Sequence, residues 1–295
     1  MRSENEIMSL ILNVAKTDNR IRVVFLNGSR ANPNAKKDIL QDYDIVYVVR
    51  AIESFLSDHN WIDIFGERLI LQIPEEMILG NEEKDNEAAK SVAFPYLMLF
   101  EDGNRIDLTL LPIEELENEF ELDSLSVLLM DKDNLFPDFP TSSDLDYLIR
   151  KPTEKEFLDC CNEFWWVSAY VAKGLWRGQI LYAKDMLEYP VRAMFMKMIE
   201  WHIGTKTNFL VSFGKSGKNI EENIHPLLWN RILATYPNAE PENIWNSLFL
   251  MLEIFRELAT KISNQLQFNY NFKEDEKITQ YLKGIMTLSN MERNK

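Results

Sequence analysis

The chain has 295 residues, 46% apolar and 12% aromatic, which is enough material for two packed domains and excludes an intrinsically disordered chain. Its 47 acidic against 32 basic side chains give a formal charge of −15, which excludes broad binding to nucleic acid, because counterion release needs Lys and Arg clusters. Divided near Arg150, residues 1–150 carry 30 acidic and 14 basic side chains, net −16, and residues 151–295 carry 17 and 18, net +1, so the first half attracts cations, whether metal ions or a cationic substrate.

Ser3 with Glu6 three residues on is a capping-box pattern, and Ile7, Leu10, Ile11 and Val14 mark one face of a first helix. The period then changes. Ile21–Leu26 is β-branched and apolar, ends at Asn27-Gly28-Ser29, and predicts a buried strand running into a turn. Further strands are expected over Asp42–Val49, Leu69–Ile73 and Tyr96–Phe100, and Glu101-Asp102-Gly103-Asn104 predicts a hairpin turn into Arg105–Leu111. Arg150-Lys151-Pro152 breaks this pattern, and Thr153 with Glu156 forms a second capping box at the head of a long helical tract. From there Phe164, Val167, Val171 and Leu175, then Met194, Met198 and Trp201, then Leu248, Leu252, Phe255 and Leu258 recur at helical spacing. The expected fold class is therefore α+β: a mixed-sheet domain over residues 1–150 and a helical bundle over 151–295.

The only two cysteines, Cys160 and Cys161, are adjacent in a helical segment, where neighbouring side chains diverge too far for an easy bridge. A reducing, cytoplasmic setting follows, and a monomer is expected. No apolar run reaches the length needed to span a bilayer, and Met1-Arg2-Ser3-Glu4 leads into an amphipathic stretch and not a signal peptide, so no membrane association is expected.

Candidate chemistry rests on carboxylates. Asp42 and Asp44 sit two apart on an expected strand, so both point to one face, and such a pair tolerates proximity when a hard divalent cation such as magnesium sits between them. The same pair on a solvated strand edge would have no function, but Ile45–Val49 directly after it is too apolar for an edge. Upstream, Gly28-Ser29 closes a strand, and small residues there let backbone amides approach phosphate oxygens. Asp107, at an alternating position of its own strand, can supply a third carboxylate.

Strand, Gly-Ser, spacer, Asp-x-Asp and a later strand Asp together resemble the nucleotidyltransferase superfamily of the DNA polymerase β type. The resemblance narrows with Asn27-Gly28-Ser29-Arg30, Gln41–Ile45, Leu99–Leu110, Asp159–Trp166, Tyr170–Leu175 and Glu200–Ile203, which are similar to the aminoglycoside 6-adenylyltransferases, the streptomycin-modifying family. It covers nearly the whole chain, fading after about Tyr236.

The resemblance implies AMP transfer from ATP to a hydroxyl of a cationic aminoglycoside, the 6-position of streptomycin, in a cleft between the domains. It implies Asp42, Asp44 and Asp107 as magnesium ligands and catalytic residues, Asp107 being either third ligand or general base. It also implies Gly28, Ser29, Arg30 and Lys173 at the nucleotide. Glu163, Trp165, Trp166 and Tyr170 are candidates for an acidic, aromatic wall around the drug, since cations favour ring faces; core packing is the competing role for the aromatics, and an ordinary solvated lysine for Lys173. The alternatives in function are the same chemistry on another small-molecule or protein acceptor, or a non-catalytic nucleotide or drug sensor.

Other features carry less. Gly214-Lys215-Ser216 lacks the upstream glycine of a phosphate-binding loop, Phe209 standing there. His59, His202 and His225 have no metal-ligand spacing, and no nucleophile elbow is present.

Overall fold

The computed structural model describes residues 1–79, 93–117 and 123–293, which fall into two compact units, Met1–Asp146 and Tyr147–Lys295.

The first unit opens with helix α1 (Glu4–Thr17). Ser3 Oγ accepts from the Glu6 amide while the Glu6 carboxylate accepts from the Ser3 amide, which completes the expected capping box. Six strands follow: β1 (Ile21–Asn27), β2 (Tyr43–Val49), β3 (Arg68–Gln72), β4 (Phe94–Phe100), β5 (Arg105–Pro112) and β6 (Ser126–Asp131). They form one mixed sheet in the order β3-β4-β5-β2-β1-β6, in which only β2 and β5 run parallel.

The continuous apolar runs of β1 and β2 have a direct cause: both strands are covered on both faces. Val24, Leu26, Ile45 and Tyr47 pack with α1 and the larger cluster, while Val23, Phe25, Val46 and Val48 pack with Leu111, Phe136 and Phe139 on the other side. The Tyr47 hydroxyl donates to the Ile11 carbonyl at 2.6 Å and ties α1 to the sheet. Two short helices interrupt the strands, α2 (Gly28–Ala31) directly after β1 and α3 (Glu53–Leu56) after β2.

The second unit is built of α4 (Glu154–Trp176), α5 (Ile180–Met186), α6 (Arg192–Lys206), α7 (Ile220–Asn223), α8 (Pro226–Leu233), α9 (Pro241–Leu266) and α10 (Phe272–Arg293). Thr153 and Glu156 form the second capping box at the start of α4. The core centres on Phe164 of α4 stacked on Phe255 of α9 with ring centroids 3.7 Å apart, Trp165 set edge-on against both. Cys160 and Cys161 are free thiols buried in that core, and burial pushes the Cys160 thiol up to about 12. Among the described residues no helix is long and apolar enough to cross a membrane.

His202 on α6 is 8% exposed, its Nδ1 has no hydrogen-bond partner, and burial, with Lys261 and Lys206 adding to it, pushes its pKa down to about 4 from 6.5. The unfolded chain therefore takes up a proton near pH 6.5 that the folded protein refuses until about pH 4. The stability associated with neutral His202 is complete above pH 6.5 and is lost as the pH falls toward 4, by about 3 kcal/mol in all. Urea unfolding of wild type and His202→Gln at about pH 7 and about pH 4.5 checks this. The variant is expected to lose less stability between the two conditions, and equal losses would contradict it.

Candidate active site

The end of the sheet where β1 exits and β2 begins holds the candidate carboxylates of the first unit. On β2, Asp44 shares a face with Val46 and Val48; on β5, Arg105 and Asp107 share a face with Leu111, and these apolar residues all pack in the smaller cluster. The parallel pairing sets Tyr43 opposite Ile106 and Asp44 opposite Asp107, so two carboxylates face each other across neighbouring strands. Asn27, the last residue of β1, pairs with Asp44 from the other side, and its Oδ1 accepts from the Ser126 hydroxyl of β6 at 2.8 Å. Asp42 lies one residue ahead of β2 and not on it, on the loop that enters the strand.

Arg105 joins these acids. Its Nε and Nη2 donate to the two oxygens of Asp107 at 2.8 and 2.7 Å, and its Nη1 lies 3.7 Å from Asp42 Oδ2. Burial pushes the Asp42 carboxyl above its ordinary value, the negative charge of Asp107 adds to the rise, and Arg105 and Arg30 oppose it. The Arg105 guanidinium is correspondingly held more firmly protonated, chiefly by its hydrogen bonds to Asp107, with the charges of Asp42 and Asp44 contributing.

Gly28 begins α2 at φ +70°, a left-handed conformation, and a Cβ built there would fall 2.2 Å from Asp44 Oδ2. Only glycine lets the backbone come this close to the carboxylate. Ser29 follows on the same turn. Arg30, read from sequence as a nucleotide contact, directs each of its three guanidinium nitrogens to a protein acceptor. Its guanidinium donates to the carbonyls of Gln41 at 2.8 Å and Asp42 at 3.1 Å, lies 3.8 Å over the Tyr43 ring, reaches Glu4 at 3.3 Å, and its side chain is 6% exposed. It fixes the loop that carries Asp42.

In the second unit, Glu163, Trp166, Tyr170 and Lys173 recur three or four residues apart and share one stripe of α4. The Trp166 Nε1 donates to the Tyr170 hydroxyl at 2.8 Å, and Lys173 Nζ lies 5.9 Å from the Tyr170 ring centroid. Trp165 turns to the opposite side and is 3% exposed in the core, so the structure separates it from the other three candidates, whereas Trp166 is 64% exposed. Glu163 also lines a groove of about 360 Å³ with Glu156, Asp159, Glu200, Arg150 and Lys197. There Glu156 pairs with Arg150, and Glu200 with Lys197 at 2.8 Å.

As the side chains stand, no three His, Cys, Asp or Glu among the described residues converge closely enough to hold a metal ion, and Arg105 lies against both Asp42 and Asp107. The donor set itself suits a hard cation: three carboxylates on adjacent backbone segments, with a glycine kept bare beside one of them. Arg105 and the loop-fixing Arg30 were not distinguishable from sequence, although the two-residue spacing of Arg105 and Asp107 on a strand is the signal that places them together.

A mixed sheet carrying Asp-x-Asp at the head of one strand, a third Asp in register beside it and a Gly-Ser turn against them is consistent with an α+β nucleotidyltransferase fold. The comparisons with known proteins narrow this class. A family model described as streptomycin adenylyltransferase matches residues 1–285. A protein of Campylobacter jejuni named aminoglycoside 6-adenylyltransferase is 45% identical over 282 residues, 96% of this chain and 95% of its own. One of the same name from Bacillus subtilis (strain 168) is 43% identical over 286 residues, 97% and 98% of the two chains. The crystal structure of an aminoglycoside 6-adenyltransferase from Bacillus subtilis, 38% identical, covers 97% of this chain and 99% of its own with a TM-score of 0.47. The chain belongs to the streptomycin adenylyltransferase family and is an enzyme.

Proposed function

We propose that this protein transfers AMP from ATP to a hydroxyl of a cationic aminoglycoside, the 6-position of streptomycin, and so inactivates the antibiotic. The observation that carries the reading is the three-aspartate cluster beside Gly28 in a chain whose family match spans residues 1–285. The relatives' printed names support the aminoglycoside as acceptor. A net charge of −16 over residues 1–150 is consistent with a polycationic substrate.

In this reading the acceptor hydroxyl attacks the α-phosphorus of ATP in line with the departing pyrophosphate; a new P–O bond forms, the bond from the α-phosphorus to the α–β bridging oxygen breaks, and the hydroxyl proton passes to solvent water. Asp42, Asp44 and Asp107 would hold magnesium, which when bound neutralises charge on the triphosphate and orients it. Asp107, opposite Asp44 on the neighbouring strand, is assigned to the cation. Gly28 and Ser29 give the phosphates a close approach to the backbone, and Arg30 positions Asp42 through the loop carbonyls. On α4, Lys173 is assigned to the triphosphate, and Glu163, Trp166 and Tyr170 to the guanidinium-bearing drug through charge and ring faces. Free thiols at Cys160 and Cys161 and the need for ATP fit a cytoplasmic enzyme.

Incubation with ATP, magnesium and individual aminoglycosides, read by mass spectrometry, tests this. Streptomycin is expected to gain the mass of AMP and pyrophosphate to appear. Pyrophosphate without a modified drug would assign another acceptor, and ATP binding without pyrophosphate would make the protein a sensor.

A further inference from the structure

We infer that Arg105 is the resident counter-cation of the aspartate cluster, and that a divalent cation must take Asp107 away from it to bind. The inference rests on the reading that Asp42, Asp44 and Asp107 hold that cation.

The placement follows from the strand pattern. Arg105 and Asp107 are two apart on β5 and point to one face; Asp44 is opposite Asp107, and Asp42, one residue ahead of β2, extends the row toward Arg105. Three carboxylates so near one another repel, and each is partly withdrawn from water, so the cluster needs positive charge to hold its shape. Arg105 supplies one such charge with a planar fork that satisfies both oxygens of Asp107 and lies 3.7 Å from Asp42. A guanidinium keeps its proton at any pH the protein survives, so this charge is permanent.

The two cations compete on geometric grounds. The Asp107 side chain is only 19% exposed, and Arg105 takes one lone pair on each of its oxygens, the two positions through which a cation would be held bidentately. The Arg105 side chain is 42% exposed, so the guanidinium can turn out to solvent when a divalent ion takes its place. The exchange therefore keeps the carboxylates assembled before magnesium and nucleotide arrive, at a cost in affinity for the free ion. That cost makes the site favour an ion delivered with a triphosphate, whose own oxygens add ligands, over the ion alone.

The full-length protein without nucleotide, titrated with manganese and followed by electron paramagnetic resonance of the free ion, tests this. Arg105→Gln is expected to bind manganese about five-fold more tightly than wild type, and its melting temperature is expected to rise more on adding manganese. Arg105→Lys, which keeps the charge and gives up the fork, is expected between the two; it carries the comparison if Arg105→Gln does not fold without the ion. Asp107→Asn is expected to bind manganese more weakly than wild type. If Asp107→Asn weakens binding while neither arginine variant strengthens it, the aspartates hold the ion but Arg105 is only a brace for the end of β5, and the inference fails alone. If Asp107→Asn leaves manganese affinity unchanged, the metal reading fails and takes the inference with it.

Discussion

Asp42→Asn is expected to lower AMP transfer by about 1,000-fold or more while the protein melts at the same temperature as wild type or higher. The loss follows from charge. An asparagine keeps the size and hydrogen-bonding shape of the side chain but removes one of the negative charges that would hold a divalent ion on the triphosphate, where each such interaction strengthens as the α-phosphorus is attacked. The retained fold follows from position: Asp42 precedes β2, and Arg30 holds its backbone carbonyl and not its carboxylate, so the substitution leaves that clamp untouched.

The direction of the stability change can be worked out from the same cluster. Burial raises the folded-state pKa of Asp42 above that of the unfolded chain, with Asp107 adding to the rise. A carboxyl with a raised folded pKa favours the fold when protonated, and that contribution is fully present below the unfolded value of 3.8 and lost as the pH climbs through the higher folded value. At neutral pH wild type therefore carries an unfavourable charge that the variant lacks. The melting temperature of Asp42→Asn relative to wild type is expected to be highest near neutrality and to converge on it in acid; a variant that unfolds at neutral pH would overturn the placement of Asp42. The pairing of lost turnover with kept or raised stability also separates this variant from one that fails by misfolding.

The elements decided by local pattern were legible in the sequence, and those decided by pairing across the chain were not. The capping boxes at Ser3 and Thr153, the hairpin turn before Arg105 and the apolar runs of β1 and β2 all announce themselves within a few residues. β6 (Ser126–Asp131) did not, because Ser126-Val127-Leu128-Leu129-Met130-Asp131 is short and carries no turn signal that marks it as the partner of β1. At the site, the two-residue spacing of Asp42 and Asp44 was visible, but that Asp107 stands opposite Asp44 depends on the parallel register of β2 and β5, more than fifty residues apart. Arg30 beside Gly-Ser suggested a phosphate contact; only the folded chain brings the Tyr43 ring and the Gln41 and Asp42 carbonyls to its guanidinium. The two tryptophans of α4 differ for a simpler reason. One residue along a helix is a rotation of about 100°, which carries Trp165 into the core and Trp166 out to the surface.

Gly28→Ala is expected to lower AMP transfer by about 100-fold and to cost about 1–2 kcal/mol of stability. Two separate effects act at this residue. The first is backbone: at φ +70° an alanine pays the left-handed penalty wherever it stands. The second is contact: the new methyl would lie 2.2 Å from Asp44 Oδ2, so the carboxylate has to move, and with it one of the three donors for the cation. Gly178, just beyond α4, separates them, since it has the same φ of +70° and nothing within 4 Å of the position a Cβ would take. Gly178→Ala is expected to show the stability loss alone, with kcat unchanged. Gly28→Ala is expected to show at least that loss in urea unfolding together with the drop in kcat. Restoring manganese or magnesium to saturating levels would recover part of that drop only if the displaced Asp44 still reaches the ion. Equal activity in the two variants would mean that the close approach of Gly28 to Asp44 has no part in the chemistry.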